Sequence, residues 1–164
     1  MKNALLCAAL GTFAAACVLP AMAADHRLAF DGGIGSQPFA SVGGVVAAND
    51  VRGIAPGGRP WVIGKLRAVV RQDGAITVKG SGLLLAGGNA VGLPALPRQV
   101  AATLICGTTE FTSAPTNLDA RGDFEIRDTL AGVPTSSCVT PILLIRNFGS
   151  NGAGPWFAAG IRED

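Results

Sequence analysis

Residues 100–146 read VAATLICGTTEFTSAPTNLDARGDFEIRDTLAGVPTSSCVTPILLIR, and this stretch decides the fold. Apolar side chains alternate over residues 100–106 and again over residues 123–128, whereas residues 142–145 are continuously apolar. Alternation with a period of two is typical of a half-buried strand, and a short apolar run is typical of a strand covered on both faces. The stretch therefore predicts about half of a β-sandwich.

The N-terminal residues have the features of a secretory signal peptide. Lys2 supplies a positive charge, residues 4–19 form an apolar run, and the Ala-Met-Ala sequence that ends at Ala23 is typical of a cleavage site. We therefore predict a signal peptide at 1–23 and a secreted, periplasmic or extracellular protein that begins near Ala24. The alternative is lipidation at Cys17, which would tether the protein to a membrane.

Removal of residues 1–23 leaves 141 residues with 12 basic and 11 acidic side chains, because only Lys2 is lost among the charged residues. A net charge near +1 without a basic cluster argues against a nucleic-acid partner, since phosphate binding depends on concentrated Lys and Arg. The remaining chain has no second apolar run long enough to cross a bilayer. We predict neither a nucleic-acid partner nor a transmembrane segment after cleavage.

Two cysteines, Cys106 and Cys138, remain after cleavage. In an oxidising compartment they have a single intramolecular pairing, so we predict a disulfide between them. A loop of about 33 residues closed in this way stabilises a fold by roughly 3.5 kcal/mol in the chain-entropy model. The alternative is a redox-active pair, but catalytic cysteines are typically only two residues apart.

The segment 24–60 is rich in glycine and proline and poor in large apolar side chains. Such a chain loses much backbone entropy on ordering and gains little burial, which predicts a flexible Gly-rich arm before a folded domain at 61–164. A propeptide, or a strand donated to a partner, is the alternative interpretation of this arm.

The remainder of the chain predicts further strands. Residues 61–71 alternate between apolar and basic side chains, and Asp73 with Gly74 provides the chemistry of a tight hairpin turn before a returning strand at 75–86. No helical period is present in the mature sequence. The predicted fold class is all-β, a roughly seven-stranded antiparallel β-sandwich with one disulfide.

Three pieces of the sequence carry a resemblance to a known family. They are VAATLIC at 100–106, LDARGDFEI at 118–126 and PILLI at 141–145. Their order resembles that of transthyretin-like and carboxypeptidase-regulatory-like modules, in which a turn with an acidic residue, Gly and Phe precedes a strand. The resemblance implies a secreted seven-stranded sandwich with a noncatalytic accessory or binding role. It carries over no hormone-site or hydrolase residue.

The mature sequence contains few groups suited to catalysis. Its only histidine, His26, lies three residues from the predicted N-terminus, so a Ser-His-Asp site or a His-rich metal site lacks its ligands. We predict no catalytic residue, no metal site and no cofactor. Carboxylates at Asp119, Asp123 and Glu125 leave a small secreted hydrolase as an alternative function.

Aromatic residues mark the candidate binding surface. Trp61, Trp156 and Phe157 are of the types enriched in binding contacts, although a domain with 5% aromatics also needs them in its core. The leading hypothesis is an exported noncatalytic binding or structural module with an unknown protein or surface partner. The third hypothesis is a strand-exchanging subunit of a surface assembly, in which residues 24–60 supply the exchanged strand.

Overall fold

The computed structural model describes residues 27–96 and 98–163, and these contain strands and turns without a helix. Alternating burial along the strands explains why these residues adopt extended structure, because every second side chain enters the core. The strands are β1 (Leu28–Gly35), β2 (Phe39–Val42), β3 (Val45–Ala48), β4 (Trp61–Val62), β5 (Lys65–Val70), β6 (Ala75–Ser81), β7 (Leu84–Leu85), β8 (Gln99–Cys106), β9 (Thr109–Thr112), β10 (Thr116–Asn117), β11 (Phe124–Thr129), β12 (Ile142–Gly149) and β13 (Gly152–Arg162).

Nine of these strands form one antiparallel sheet. Its hydrogen-bonded order is β10-β8-β12-β13-β1-β5-β6-β11, and β9 pairs with β8. The sheet curls until its two ends approach each other, where the backbone N–H of Ala114 donates to Asp128 Oδ2 at 2.6 Å. The predicted all-β antiparallel class is confirmed. The predicted count of about seven strands in two layers is not confirmed, because the nine strands of the main sheet form one continuous curled sheet.

The inside of the curled sheet is a single apolar core. Side chains from both halves of the sheet meet there, and those at its centre are almost completely buried, among them Leu66, Val78, Leu104 and Leu143. The predicted hairpin at Asp73 and Gly74 joins β5 to β6, with Val70 opposite Ile76. The core therefore uses the alternating residues that the sequence pattern indicates.

The prediction of a flexible arm before a domain that starts at residue 61 is wrong for Leu28–Gly35. This strand, β1, lies inside the sheet and pairs with β13 on one side and β5 on the other. Its glycines permit close packing: a Cβ on Gly33 would lie 2.8 Å from Ile63, and a Cβ on Gly35 would collide with the backbone carbonyl of Trp61. The folded domain therefore includes Leu28–Gly35, and the predicted signal peptide at 1–23 lies outside the described residues.

The rest of the predicted arm has two parts. Within the described part of the chain, strands β2 and β3 pair only with each other, and their hairpin exposes Phe39, Val45 and Val46. After this hairpin, the chain returns to the sheet, where Pro56 forms a parallel bridge with Trp156 of β13. There Ile54 packs with Trp156 in a second, smaller apolar cluster.

The predicted disulfide between Cys106 and Cys138 is confirmed, with the two Cα atoms 4.8 Å apart. Cys106 ends β8, and Cys138 lies in the connection that leads into β12, the neighbour of β8 in the sheet. The bridge therefore fastens a loop to the end of its own sheet instead of joining two layers. The backbone bond from Gly107 N to Val139 O, at 3.1 Å, holds the same junction.

Substitution of Phe30 tests whether β1 belongs to the folded domain. Phe30 is 2% exposed in the main core, whereas Phe39 in the β2–β3 hairpin is 68% exposed. We expect Phe30→Ala to lower the free energy of unfolding by about 3–5 kcal/mol, and the matched control Phe39→Ala to change it by less than about 0.5 kcal/mol. Urea denaturation measures both. Equal effects of the two substitutions would contradict this placement of β1.

Candidate functional site

The three aromatic residues predicted from the sequence do not form one surface. Trp156 and Phe157 are neighbours on β13, so their side chains point to opposite faces of the sheet. Phe157 stacks on Trp61 inside the curled sheet, with ring centres 4.2 Å apart, while Trp156 lies in the outer cluster and donates from Nε1 to Asn49 O. All three are less than 5% exposed. A role in binding stays a prediction, and the Trp61–Phe157 pair borders a cavity of the kind that such a role needs.

The Trp61–Phe157 stack lines an open cleft of about 490 Å³, which we call the aromatic cleft. Its walls come from the segment before β4, the loop between β7 and β8, and the start of the β12–β13 hairpin. Gly57 packs tightly against the stack, because a Cβ there would lie 2.8 Å from Trp61 Nε1. The other lining residues are Gly58, Arg59, Leu85, Ala95, Arg98, Asn147 and Pro155.

Arg98 is the central polar group of the aromatic cleft. Its guanidinium carbon lies 5.6 Å from the ring centre of Trp61 and 5.1 Å from that of Phe157, within the range of cation–π attraction. Nη1 donates to Asn147 Oδ1 at 2.7 Å, and Nε donates to Ala95 O at 3.3 Å. Burial lowers the pKa of Arg98 from its usual value, because the charged form is partly removed from water.

The charge of the aromatic cleft is positive. Arg59 is exposed at the rim, Arg98 is half-buried inside, and the lining contains no carboxylate. Arg98 is not indicated by the sequence, because it lies next to Pro97 in the loop before β8 and belongs to no motif. Its position depends on residues about 40 to 60 places away in the chain, so no local pattern indicates it.

A second depression, of about 640 Å³, lies beside β1, β5 and β6 and is less suited to binding a charged group. Three of its four charged residues, Asp31, Arg67 and Lys79, are paired, and the fourth, Lys65, is exposed. Arg67 donates two hydrogen bonds to Asp31, at 2.9 and 3.1 Å, and Lys79 lies 3.5 Å from Glu125. Exposed pairs of this kind are common on strand surfaces and contribute little to stability.

The carboxylates of the hydrolase alternative are engaged in local structure. Asp119 Oδ1 accepts from the backbone N–H groups of Asp123 and Arg121, at 2.8 and 2.7 Å, and these bonds lower the pKa of Asp119. The hydrogen bond from Arg127 lowers the pKa of Glu125, and Asp123 accepts from Gly82 N. A general acid requires a raised pKa, so neither Asp119 nor Glu125 is suited to that role.

In residues 27–96 and 98–163, no group of three His, Cys, Asp or Glu side chains is arranged to hold a metal ion. His26 and Cys17 lie outside the described part of the chain. Within that part, no helix has both the length and the apolar character needed to cross a membrane.

The comparisons with known proteins returned no family model, no curated protein and no solved structure that matches this chain. The resemblance to transthyretin-like modules therefore stays a prediction that depends on the three sequence pieces alone. The candidate site is defined by its geometry.

The lowered pKa of Asp119 predicts how its contribution to stability depends on pH. A carboxyl group whose folded pKa lies below its unfolded value, about 3.9, stabilises the fold above that value and loses this effect as the pH falls through the folded pKa. We therefore expect Asp119→Asn to be less stable than the unsubstituted protein at pH 7, with the difference narrowing below about pH 4. Urea midpoints measured from pH 2 to 7 test this.

The matched control is Asp50→Asn, which removes one charge at an exposed position before the turn at residues 51–54. We expect the urea midpoint of this control to stay close to that of the unsubstituted protein at every pH. A constant difference for Asp119→Asn from pH 2 to 7 would show that its carboxylate charge is irrelevant to the turn.

Proposed function

We propose that this protein is an exported, noncatalytic binding module that holds its ligand or surface partner in the aromatic cleft. The observation that carries the proposal is the placement of Arg98, a half-buried cation over two aromatic rings in a cleft without a carboxylate. Binding sites are typically concave, lined by aromatic groups, and supplied with a few polar groups that orient the ligand. Arg and Trp are also the residue types most enriched among the energetically dominant contacts of interfaces.

The noncatalytic part of the proposal is supported by the state of the carboxylates. The hydrolase alternative relies on Asp119, Asp123 or Glu125, and all three accept hydrogen bonds that the turn at 119–122 and strands β6 and β11 use. A carboxylate that must stay ionised to hold a turn is poorly suited to exchange protons with a substrate. The hydrolase therefore remains the weaker candidate.

The exported part of the proposal is supported by the signal-like residues 1–23 and by the disulfide. Disulfides persist in oxidising compartments, so the Cys106–Cys138 bridge is compatible with a location outside the cytoplasm. Export further predicts that the mature chain begins near Ala24, which intact-mass measurement of the exported protein checks directly.

Blocking the aromatic cleft tests the proposal. A Cβ at Gly58 would have no neighbouring atom within 4 Å, so Gly58→Trp starts a large side chain from open space at the mouth of the cleft. We mix the purified chain 24–164 with washed cells of its host, sediment the cells and measure the bound fraction. We expect Gly58→Trp to lower this fraction several-fold, because the added side chain excludes the partner from the cleft.

Two controls separate the alternatives. Gln72→Trp adds the same side chain at the exposed β5–β6 turn and is expected to leave the bound fraction unchanged. The double variant Asp123→Asn, Glu125→Gln is expected to do the same. If Gly58→Trp bound as well as the unsubstituted protein, the cleft would not be the binding site.

The second candidate is a strand-exchanging subunit of a surface assembly, and the β2–β3 hairpin favours it. Since β1 pairs inside its own chain, the hairpin at 39–48 is the part of the predicted arm that we expect to pair with another copy. Phe39, Val45 and Val46 are 68%, 68% and 70% exposed, and neither β2 nor β3 pairs with any other strand in the described residues. Unpaired apolar strand edges are templates for pairing with another chain.

A charged substitution in the hairpin tests this second candidate. We expect Val46→Lys to shift the chain from oligomer to monomer in sedimentation velocity experiments at tens of micromolar protein, because a lysine on an edge strand opposes pairing. Val91→Lys is the matched control, since Val91 is 63% exposed in the loop between β7 and β8. A chain that sediments as a monomer before substitution, or an oligomer that survives Val46→Lys, would remove this candidate.

A further inference from the structure

We infer that the ligand group held in the aromatic cleft is an oxyanion, a carboxylate or a phosphate, bound by Arg98 with Arg59 at the rim. The inference rests on the proposed function, because it names the chemistry that the same cleft recognises. Three observations support it. They are the N–H donors that Arg98 leaves unused among the described residues, the positive charge of the cleft lining, and the contrast with the buried Arg146.

Among the described residues, the guanidinium of Arg98 has N–H groups that make no hydrogen bond. A guanidinium carries five N–H groups in a planar fork that matches the two oxygens of a carboxylate or phosphate. In the part of the chain that the structure describes, Arg98 uses Nε toward Ala95 O and Nη1 toward Asn147 Oδ1. Both contacts are to neutral oxygens, and they fix the plane of the guanidinium while leaving Nη2 for a ligand.

The surroundings of Arg98 strengthen its attraction for an anion. The Trp61 and Phe157 rings and the loop between β7 and β8 displace water from one side of the guanidinium, and charge interactions are stronger where water is excluded. No carboxylate lines the aromatic cleft, and Arg59 adds a second positive charge at its opening. An incoming oxyanion therefore meets two cations without a competing negative group.

Arg146 is a buried arginine that offers a contrast with Arg98. It is 8% exposed, and it donates to Glu110 Oε2 at 2.6 Å, Gly154 O at 2.7 Å and Ala153 O at 2.9 Å. A carboxylate thus balances its charge within the protein. Arg98 has no such partner among the described residues, and an oxyanion ligand would supply the balancing charge.

The competing explanation is that Arg98 has only a structural role, in which its hydrogen bonds hold the loop between β7 and β8 against Asn147 on β12. That role predicts an effect on stability but no preference for anions. A matched pair of probes distinguishes the two roles: benzoate and benzamide have nearly the same shape, and only benzoate carries a charged carboxylate. Inorganic phosphate is the third probe and separates phosphate recognition from carboxylate recognition.

The experiment titrates each probe into the ¹⁵N-labelled chain 24–164 at constant ionic strength and follows the indole N–H signal of Trp61. We expect saturable shifts with benzoate, with phosphate, or with both, and benzamide binding that is at least tenfold weaker. Arg98→Gln is expected to weaken oxyanion binding by about 10- to 100-fold, the range for a lost charge-assisted hydrogen-bonded contact. Arg71→Gln removes the same charge at the exposed β5–β6 turn and is expected to change binding by less than twofold.

Arg98→Lys keeps the charge but loses the planar fork, so it should bind more weakly than the unsubstituted protein while remaining folded by amide spectra. The inference is overturned if benzamide binds as well as benzoate, if Arg98→Gln and Arg71→Gln behave alike, or if neither anion shifts the Trp61 signal. In those cases the Gly58→Trp result still decides the proposed function on its own. Conversely, the protein could bind oxyanions while Gly58→Trp leaves its association with cells unchanged. That result would support the inference and contradict the proposed function.

Discussion

The hydrogen bonding of β1 to both β13 and β5 is the constraint on which the sheet depends. One side of β1 carries β13, β12, β8, β9 and β10, and the other side carries β5, β6 and β11. No other strand pairing connects these two halves in the described residues, although their ends approach where Ala114 meets Asp128. Without β1 the chain would consist of two smaller sheets, each with a newly unpaired edge and an apolar face open to water.

Local patterns predicted much of the remaining fold. The Asp73–Gly74 turn supplies the positive φ that a tight hairpin requires at Gly74, and the alternation of Phe124 and Ile126 with charged neighbours gives the core-facing register of β11. The two cysteines left after residue 23 allow a single pairing. Each of these inferences depends on residues close in sequence or on a count, which is why the sequence alone was sufficient.

The central strand was missed because its stability comes from distant partners. Phe30 pairs with Arg162 across the sheet, and the glycines that suggested a loose arm are required where β1 passes close to the backbone of Trp61. A glycine-rich segment has the same composition whether its glycines provide freedom or permit close approach. Only the three-dimensional neighbours distinguish the two cases. The same holds for Arg98, whose position in the cleft depends on contacts with Trp61, Asn147 and Phe157.

The fold and the candidate site are coupled through the end of β1. Ser36 follows this strand directly; its backbone N–H donates to Phe157 O at 2.8 Å, and its carbonyl accepts from Trp61 N at 2.8 Å. Through these two backbone hydrogen bonds, Ser36 sets the spacing of Trp61 and Phe157, the two aromatic residues that Arg98 contacts. Because the segment that completes the sheet also positions the stack, a substitution in β1 that loosens the sheet should disturb the cleft as well. A loss of binding in such a variant reports on the cleft only when the free energy of unfolding is measured beside it.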